Sequence, residues 1–395
     1  MQGDESVDSL LSLNELSYRK PFSLSVASSC QWRVFRSLRD DIAPSQTSSL
    51  EISPGASFFD PKTSYLRFRV QTATADGTLG IGSGVNFLSE TVVRARSGTE
   101  LSRSQTHHLQ QIQSNAMKQD ANYGVTLGWV ERGDAITAGG GTEYILPLSD
   151  VNPFFTQNSL VPSQLGTLRL EISWAPLGTV FSTAGPTNYN ITNVAVVAKC
   201  FDLSDAVLRR LTQIAASTSL TMSWVDISRT ISRGSGNSAN VTCVKSCSRG
   251  LAVMACVQAA NRLTTAGIES FGLSVVNPDQ QFQWSLGSAM ITTEPQVGPR
   301  EAFVQATHAF GMWGRGPDSY SCLPQRPSFI TGYGQISASL ERSNALAYNG
   351  TAVSSNRPLI LIAQNLADAN ADIYVYLYYL RMCSVFSSSN VSIKE

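Results

Sequence analysis

Tyr65-Leu-Arg-Phe-Arg-Val-Gln-Thr72 alternates apolar and polar residues without a slip. Leu66, Phe68 and Val70 point one way, and Arg67, Arg69 and Gln71 the other. A period of two marks a strand with one buried face. Leu168-Arg-Leu-Glu-Ile-Ser-Trp174 repeats the pattern, with Leu168, Leu170, Ile172 and Trp174 facing in. Working outward, residues 85–96, 194–201, 251–257, 282–286, 359–363 and 373–382 read as further strands. Most are rich in Val, Ile, Tyr and Phe, and turn residues bound them.

Helix signals are few. The spacing predicts helices over residues 104–120, 204–216 and 301–310. The middle one is the best marked. Ser204 can cap it, Asp205 suits the positive helix end, and Val207, Leu208, Leu211 and Ile214 form an apolar stripe. It lies near the middle of the chain, between two β-rich halves that each finish on a strand pair. The expected division is an arm at 1–20, a first β unit at 21–203, a linker helix at 204–218, a second β unit at 219–386 and a tail at 387–395. If the stripe docks across both units, Leu211→Asp costs about 3 kcal/mol or more. Short strands with frequent turns make each half a sandwich or jelly roll.

The chain has 395 residues, with 29 basic and 29 acidic side chains and no net charge. That balance argues against a nucleic-acid binder working through a positive field. Only 15% of residues are charged, against roughly 25% in ordinary soluble domains. Six of the 29 basic residues are Lys and the other 23 Arg. Arg bonds bidentately and desolvates more readily than Lys, so the composition suits a surface that meets other protein. No apolar run reaches the roughly 18 residues a membrane helix needs. The polar start Met1-Gln-Gly-Asp-Glu-Ser6 resembles no signal peptide, so a cytosolic or nuclear location is the expectation.

The catalytic inventory is thin. His107 and His108 are adjacent and cannot share a helix face, and His308 stands apart. All three read as surface or partly buried. Cys30, Cys200, Cys243, Cys247, Cys256, Cys322 and Cys383 read as small buried apolar residues. The Cys243/Cys247 spacing lacks the second ligand pair a zinc site needs. Gly80-Ile-Gly82-Ser-Gly84 falls short of a dinucleotide fingerprint. It reads as a loop, as do 138–142 and 311–316. Tyr374, Tyr376, Tyr378 and Tyr379 form an aromatic ladder that suits core or subunit packing. No catalytic, cofactor-binding or metal-binding residue is therefore assigned, and no cofactor. The readings left open are a structural tile, a glycan- or receptor-binding β-sandwich, and an enzyme on a jelly-roll scaffold.

Several blocks resemble the double jelly-roll major capsid proteins of polinton-like viruses, virophages and related tailless double-stranded DNA viruses. They are Phe59-Asp-Pro-Lys-Thr-Ser-Tyr-Leu-Arg-Phe-Arg-Val70, the stretch Asn86–Glu100, Phe282-Gln-Trp-Ser-Leu-Gly-Ser288 with Glu294-Pro295, and Asn356–Ala363 leading into Ile373–Val385. The resemblance implies an all-β fold of two eight-stranded jelly rolls side by side, with a few short helices. It also implies a homotrimer with a pseudo-hexagonal outline that tiles an icosahedral virion shell. The implied partners are neighbouring capsomers and the penton and minor capsid proteins, with no sequence-specific nucleic acid and membrane contact left open. Residues 1–20 would be an arm reaching a neighbour or the capsid interior.

Overall fold

In a computed structural model of the chain, the described residues are 27–72, 76–78, 83–107, 109–111, 135–136, 138–157, 159–181, 186, 188–258, 277–309, 334–341, 350–366, 368–386 and 391–395. The arm at 1–20, His108, Cys322, Gly80, Gly82 and the glycine stretch 311–316 lie outside them.

The first half contains β1 (Ala27–Arg36), β2 (Thr47–Ile52), β3 (Phe58–Thr72), β4 (Leu88–Arg94), β5 (Glu100–Gln105), β6 (Gly141–Pro147), β7 (Leu168–Trp174) and β8 (Tyr189–Leu203). They form two antiparallel sheets in the orders β1-β8-β3-β6 and β2-β7-β4-β5. The second half contains β9 (Leu220–Arg233), β10 (Ser238–Thr242), β11 (Cys247–Gln258), β12 (Gln281–Leu286), β13 (Ala289–Met290), β14 (Ile336–Ser339), β15 (Leu359–Gln364) and β16 (Asp372–Val385). Along their main paths their sheets run β9-β16-β11-β14 and β10-β15-β12-β13, with the short strands Thr351–Val353 and Gln296–Val297 pairing off those paths to β11 and β12. Adding eight to each strand number of the first half gives the second. Each half is a jelly roll, and the fold is an all-β double jelly roll with few helices.

The alternating patterns explain the layers. In β3, Leu66, Phe68 and Val70 are wholly buried in the first core, while Arg69 is exposed. In β16 both faces are buried. Ile373, Val375, Leu377 and Tyr379 enter the core of the second roll, while Tyr374, Tyr376 and Tyr378 join a separate cluster on the other side. A strand covered on both faces reads as a continuous apolar run, which is why 373–382 lacks alternation.

Several sequence expectations need correction. Ser104 and Gln105 end β5, and the helical conformation begins at His107. The hydroxyl of Ser104 meets Nδ1 of His107 at 2.8 Å and closes that turn. Residues 112–120 of that expected helix lie outside the described region. His107 is wholly buried, not superficial. Residues 83–87 form a 3-10 turn before β4, so the expected strand at 85–96 is shorter. Cys30 is exposed, because β1 is an edge strand and its side chain lies on the outer face.

The linker helix α1 (Asp205–Ser217) forms, but Ser204 makes no side-chain cap bond, and Ala215 is its one buried residue. Val207, Leu208 and Leu211 are half-buried and Ile214 is exposed, so the stripe does not dock as expected. The third helix, α2, spans Gly298–Ala309, and Ala302 and Ala306 close the second core. Part of the expected tail is a strand, β17 (Val391–Lys394), paired with Met382–Val385.

Candidate functional site: the seam between the rolls

The two rolls are joined by more than the linker. Met222 and Trp224 of β9, and Cys383 and Val385 of β16, belong to the core cluster of the first roll. Phe154, in the 3-10 turn Pro153–Thr156, packs edge-on against Trp224 with ring centroids 5.0 Å apart. The long β9–β16 pair makes this possible. It runs in unbroken register from Leu220↔Val385 to Arg233↔Asp372, so its far end projects past its own roll into the other.

Above that contact lies an ionic group. Asp226 of β9 is buried and accepts from Arg381 Nη1 at 2.8 Å, Ser102 Oγ at 2.7 Å and the Tyr379 hydroxyl at 3.2 Å. Ser102 comes from β5 of the first roll, while Tyr379 and Arg381 come from β16 of the second. Burial raises the Asp226 carboxyl above its usual range, against the pull of the Arg381 charge and the Ser102 hydroxyl bond. Arg381 also reaches Glu395 at 3.1 Å, and Lys245 pairs with the same carboxylate. On the first roll, Arg103 binds Glu90 at 2.6 Å and Glu100 at 2.7 Å. The Arg103 hydrogen bond holds the Glu100 carboxyl below its usual value, with Arg94 and Arg381 adding to the effect. Asp226, Arg381, Glu395, Lys245, Glu100 and Arg103 line a cavity of about 210 Å³.

The third part of the seam is aromatic. Tyr374, Tyr376 and Tyr378 stand on the outer face of the β9-β16-β11-β14 sheet, with Met254 and Cys256. The turn after β5 covers them. Leu109 is wholly buried in this cluster, and Gln110 Nε2 donates to the Tyr378 hydroxyl at 3.1 Å. His107 anchors the turn. Its Nε2 meets the Asp150 carbonyl at 2.6 Å, so Nε2 carries the proton and Nδ1 accepts from Ser104. Burial lowers its pKa to about 4, although the Asp150 bond works the other way. His107 is neutral in the folded chain at pH 7.

The aromatic ladder was visible in sequence, and the structure splits it between this cluster and Asp226. Asp226, Arg381, Ser102 and Glu395 were not singled out, because nothing local distinguishes a charge that pairs across the fold. Among the described residues, no three of His, Cys, Asp and Glu come together to hold a metal. Cys243 and Cys247 are both buried, and burial pushes the Cys243 thiol up to about 12, far from a thiolate ligand. Among the described residues, no helix is long and apolar enough to cross a membrane. His308 is an exposed residue of α2. The arrangement binds roll to roll.

No protein-family model and no curated sequence matches the chain. Solved structures do. VP54 of PBCV-1, fitted into a cryo-EM reconstruction of the virophage Sputnik, matches with a TM-score of 0.66 at 11% identity, covering 96% of this chain and 99% of that one. The Faustovirus major capsid protein matches with a TM-score of 0.61 at 7% identity, over 93% and 91% of the two chains. The mavirus major capsid protein gives 0.51 at 9% identity, over 96% and 94%. The double jelly roll of this chain is thus the fold of viral major capsid proteins, shared over almost the whole length.

Proposed function

We propose that the chain is the major capsid protein of a tailless icosahedral virus. Three copies form a pseudo-hexameric capsomer, and capsomers tile the virion shell beside penton and minor capsid proteins. Assembly takes place in the host cytoplasm or nucleus, without catalysis and without sequence-specific binding of nucleic acid. The observation that carries this reading is the repeat of one strand order in two rolls fused by a buried seam. Two equivalent rolls per chain give a three-copy ring six equivalent blocks, the outline that sixfold positions of a shell need. The low charge and Arg-rich composition fit a surface spent largely on protein contacts.

Purified full chain should sediment near three times 42.6 kDa, and negative-stain images should show hexagonal plates. A stable monomer at micromolar concentration overturns the reading.

A further inference from the structure

The two rolls treat one equivalent face differently. In the second roll, the outer face of β9-β16-β11-β14 is covered by the turn that follows β5 of the first roll. The equivalent face of the first roll is β1-β8-β3-β6. Among the described residues, large apolar side chains on this face stay partly open. Trp32 is 54% exposed, Val34 47% and Ile145 43%. The registers put them on one surface. Val34 lies beside Val197 and then Tyr65, Arg36 beside Ala195, Arg67 and Ile145, and Trp32 beside Lys199. Trp32 and Tyr65 hold their rings 6.2 Å apart, so the patch is preformed.

The strand equivalent to β5 in the second roll is β13, and the helix that follows is α2. This corner also exposes large apolar side chains, Met290 at 50% and Val297 at 45%. Ile291 and Val304 are half-buried beside it. The charges are complementary. On the first face Arg36, Arg67, Arg69 and Lys199 outnumber the carboxylates Asp60 and Glu143. Glu294 and Glu301 flank the corner, and among the described residues lining it Arg300 is the one cation.

We propose that the outer face of β1-β8-β3-β6 docks the β13–α2 corner of a second copy of this chain, centred on Trp32 and Val34 against Met290 and Val297. The proposal rests on the capsid-tile reading and assigns that tile its contact. Two different surfaces meet, so the contact is head-to-tail, and it closes into a ring when the rotation is one third of a turn. A trimer then has six seams of one kind, three within chains and three between them.

The test uses the full chain carrying Trp32→Glu or Met290→Glu, with Val244→Glu as a control at an 83% exposed site in the β10–β11 connection. Native mass spectrometry and sedimentation read the assembly, and circular dichroism the fold. Trp32→Glu and Met290→Glu should each lower the trimer at least tenfold at micromolar concentration, while Val244→Glu keeps it. Mixed one to one, the two defective chains retain one intact pair of surfaces between them. They should give a dimer and no trimer. If Trp32→Glu does not fold, Val34→Glu replaces it on the same face.

A wild-type trimer that both variants retain, or that Val244→Glu loses equally, overturns the assigned contact and leaves the tile reading standing. A mixture that yields no dimer also overturns it. A monomeric wild type overturns the tile reading itself.

Discussion

The two rolls share a strand order and differ in what fills them. The first is packed with rings. Phe68 lies 5.1 Å from Trp174 and 5.5 Å from Tyr144, and Phe87 lies 5.3 Å from Tyr189. The second is filled mostly by small and branched residues, among them Val253, Ala255, Leu361, Ala363 and Val375, closed by Ala302 and Ala306 of α2. One topology therefore accepts two packings. Strand order follows from alternation and turns, while the core residues set how much each position contributes. This is why the halves show no residue-by-residue repeat. The ring-packed core is also the one that extends into the other roll, through Met222, Trp224, Cys383 and Val385.

The sharpest way to break the comparison is Trp174→Ala. Trp174 is buried among rings, and its Nε1 donates to Ser48 Oγ at 3.0 Å. The loss should be about 5 kcal/mol, against about 3 kcal/mol for Leu361→Ala in the second core. Because the first core reaches into β9 and β16, Trp174→Ala should keep one unfolding transition in a denaturant titration. Two separated transitions would show that the rolls unfold independently.

Asp226→Ala tests the seam. It leaves the Arg381 guanidinium buried without its nearest carboxylate, and should cost about 4 kcal/mol by chemical denaturation. Arg233→Ala removes the exposed pair with Asp372, on the same two strands, and should leave the unfolding midpoint in place. The contrast measures what burial, rather than charge pairing, contributes.

Next in size is a pH effect. The pKa of His107 falls from 6.5 in the unfolded chain to about 4 in the fold, so below pH 6.5 the unfolded state binds the extra proton. Stability then declines as the pH falls through that window, by about 2 kcal/mol at pH 5. Asp226 acts oppositely, since its raised carboxyl binds a proton more readily when folded. The Glu100 carboxyl, held low, loses its contribution only as the pH falls past its unfolded value of 4.5. His107→Gln should therefore flatten the decline between pH 6.5 and 5. An unchanged slope would remove His107 as its cause.

These positions show what the sequence made legible. Alternation at 65–72 and 168–174 placed strands and their inward faces, because a period of two is a local signal. The strand pairs and the central helix showed two halves. The seam was hidden for a physical reason. Ser102 and Asp226 are 124 residues apart, and Asp226 and Arg381 are 155 apart, so their partnership exists only after both rolls fold. His107 looked superficial because its burial depends on the Asp150 carbonyl, which lies 43 residues away.

A small effect is expected where the sequence promised a large one. Leu211 belongs to an apolar stripe at helical spacing, and a docked stripe would punish a charge. In the fold, Leu211 is only half-buried, and its neighbours Arg210 and Thr212 are exposed. A carboxylate there keeps most of its water, so Leu211→Asp should cost less than about 1 kcal/mol by thermal or chemical unfolding. Amphipathic spacing states which face of a helix would be buried if something covered it, and among the described residues α1 has only part of that cover. A loss above about 3 kcal/mol in an isolated single copy would mean that the stripe is packed after all. It would then make α1 a third link in the seam.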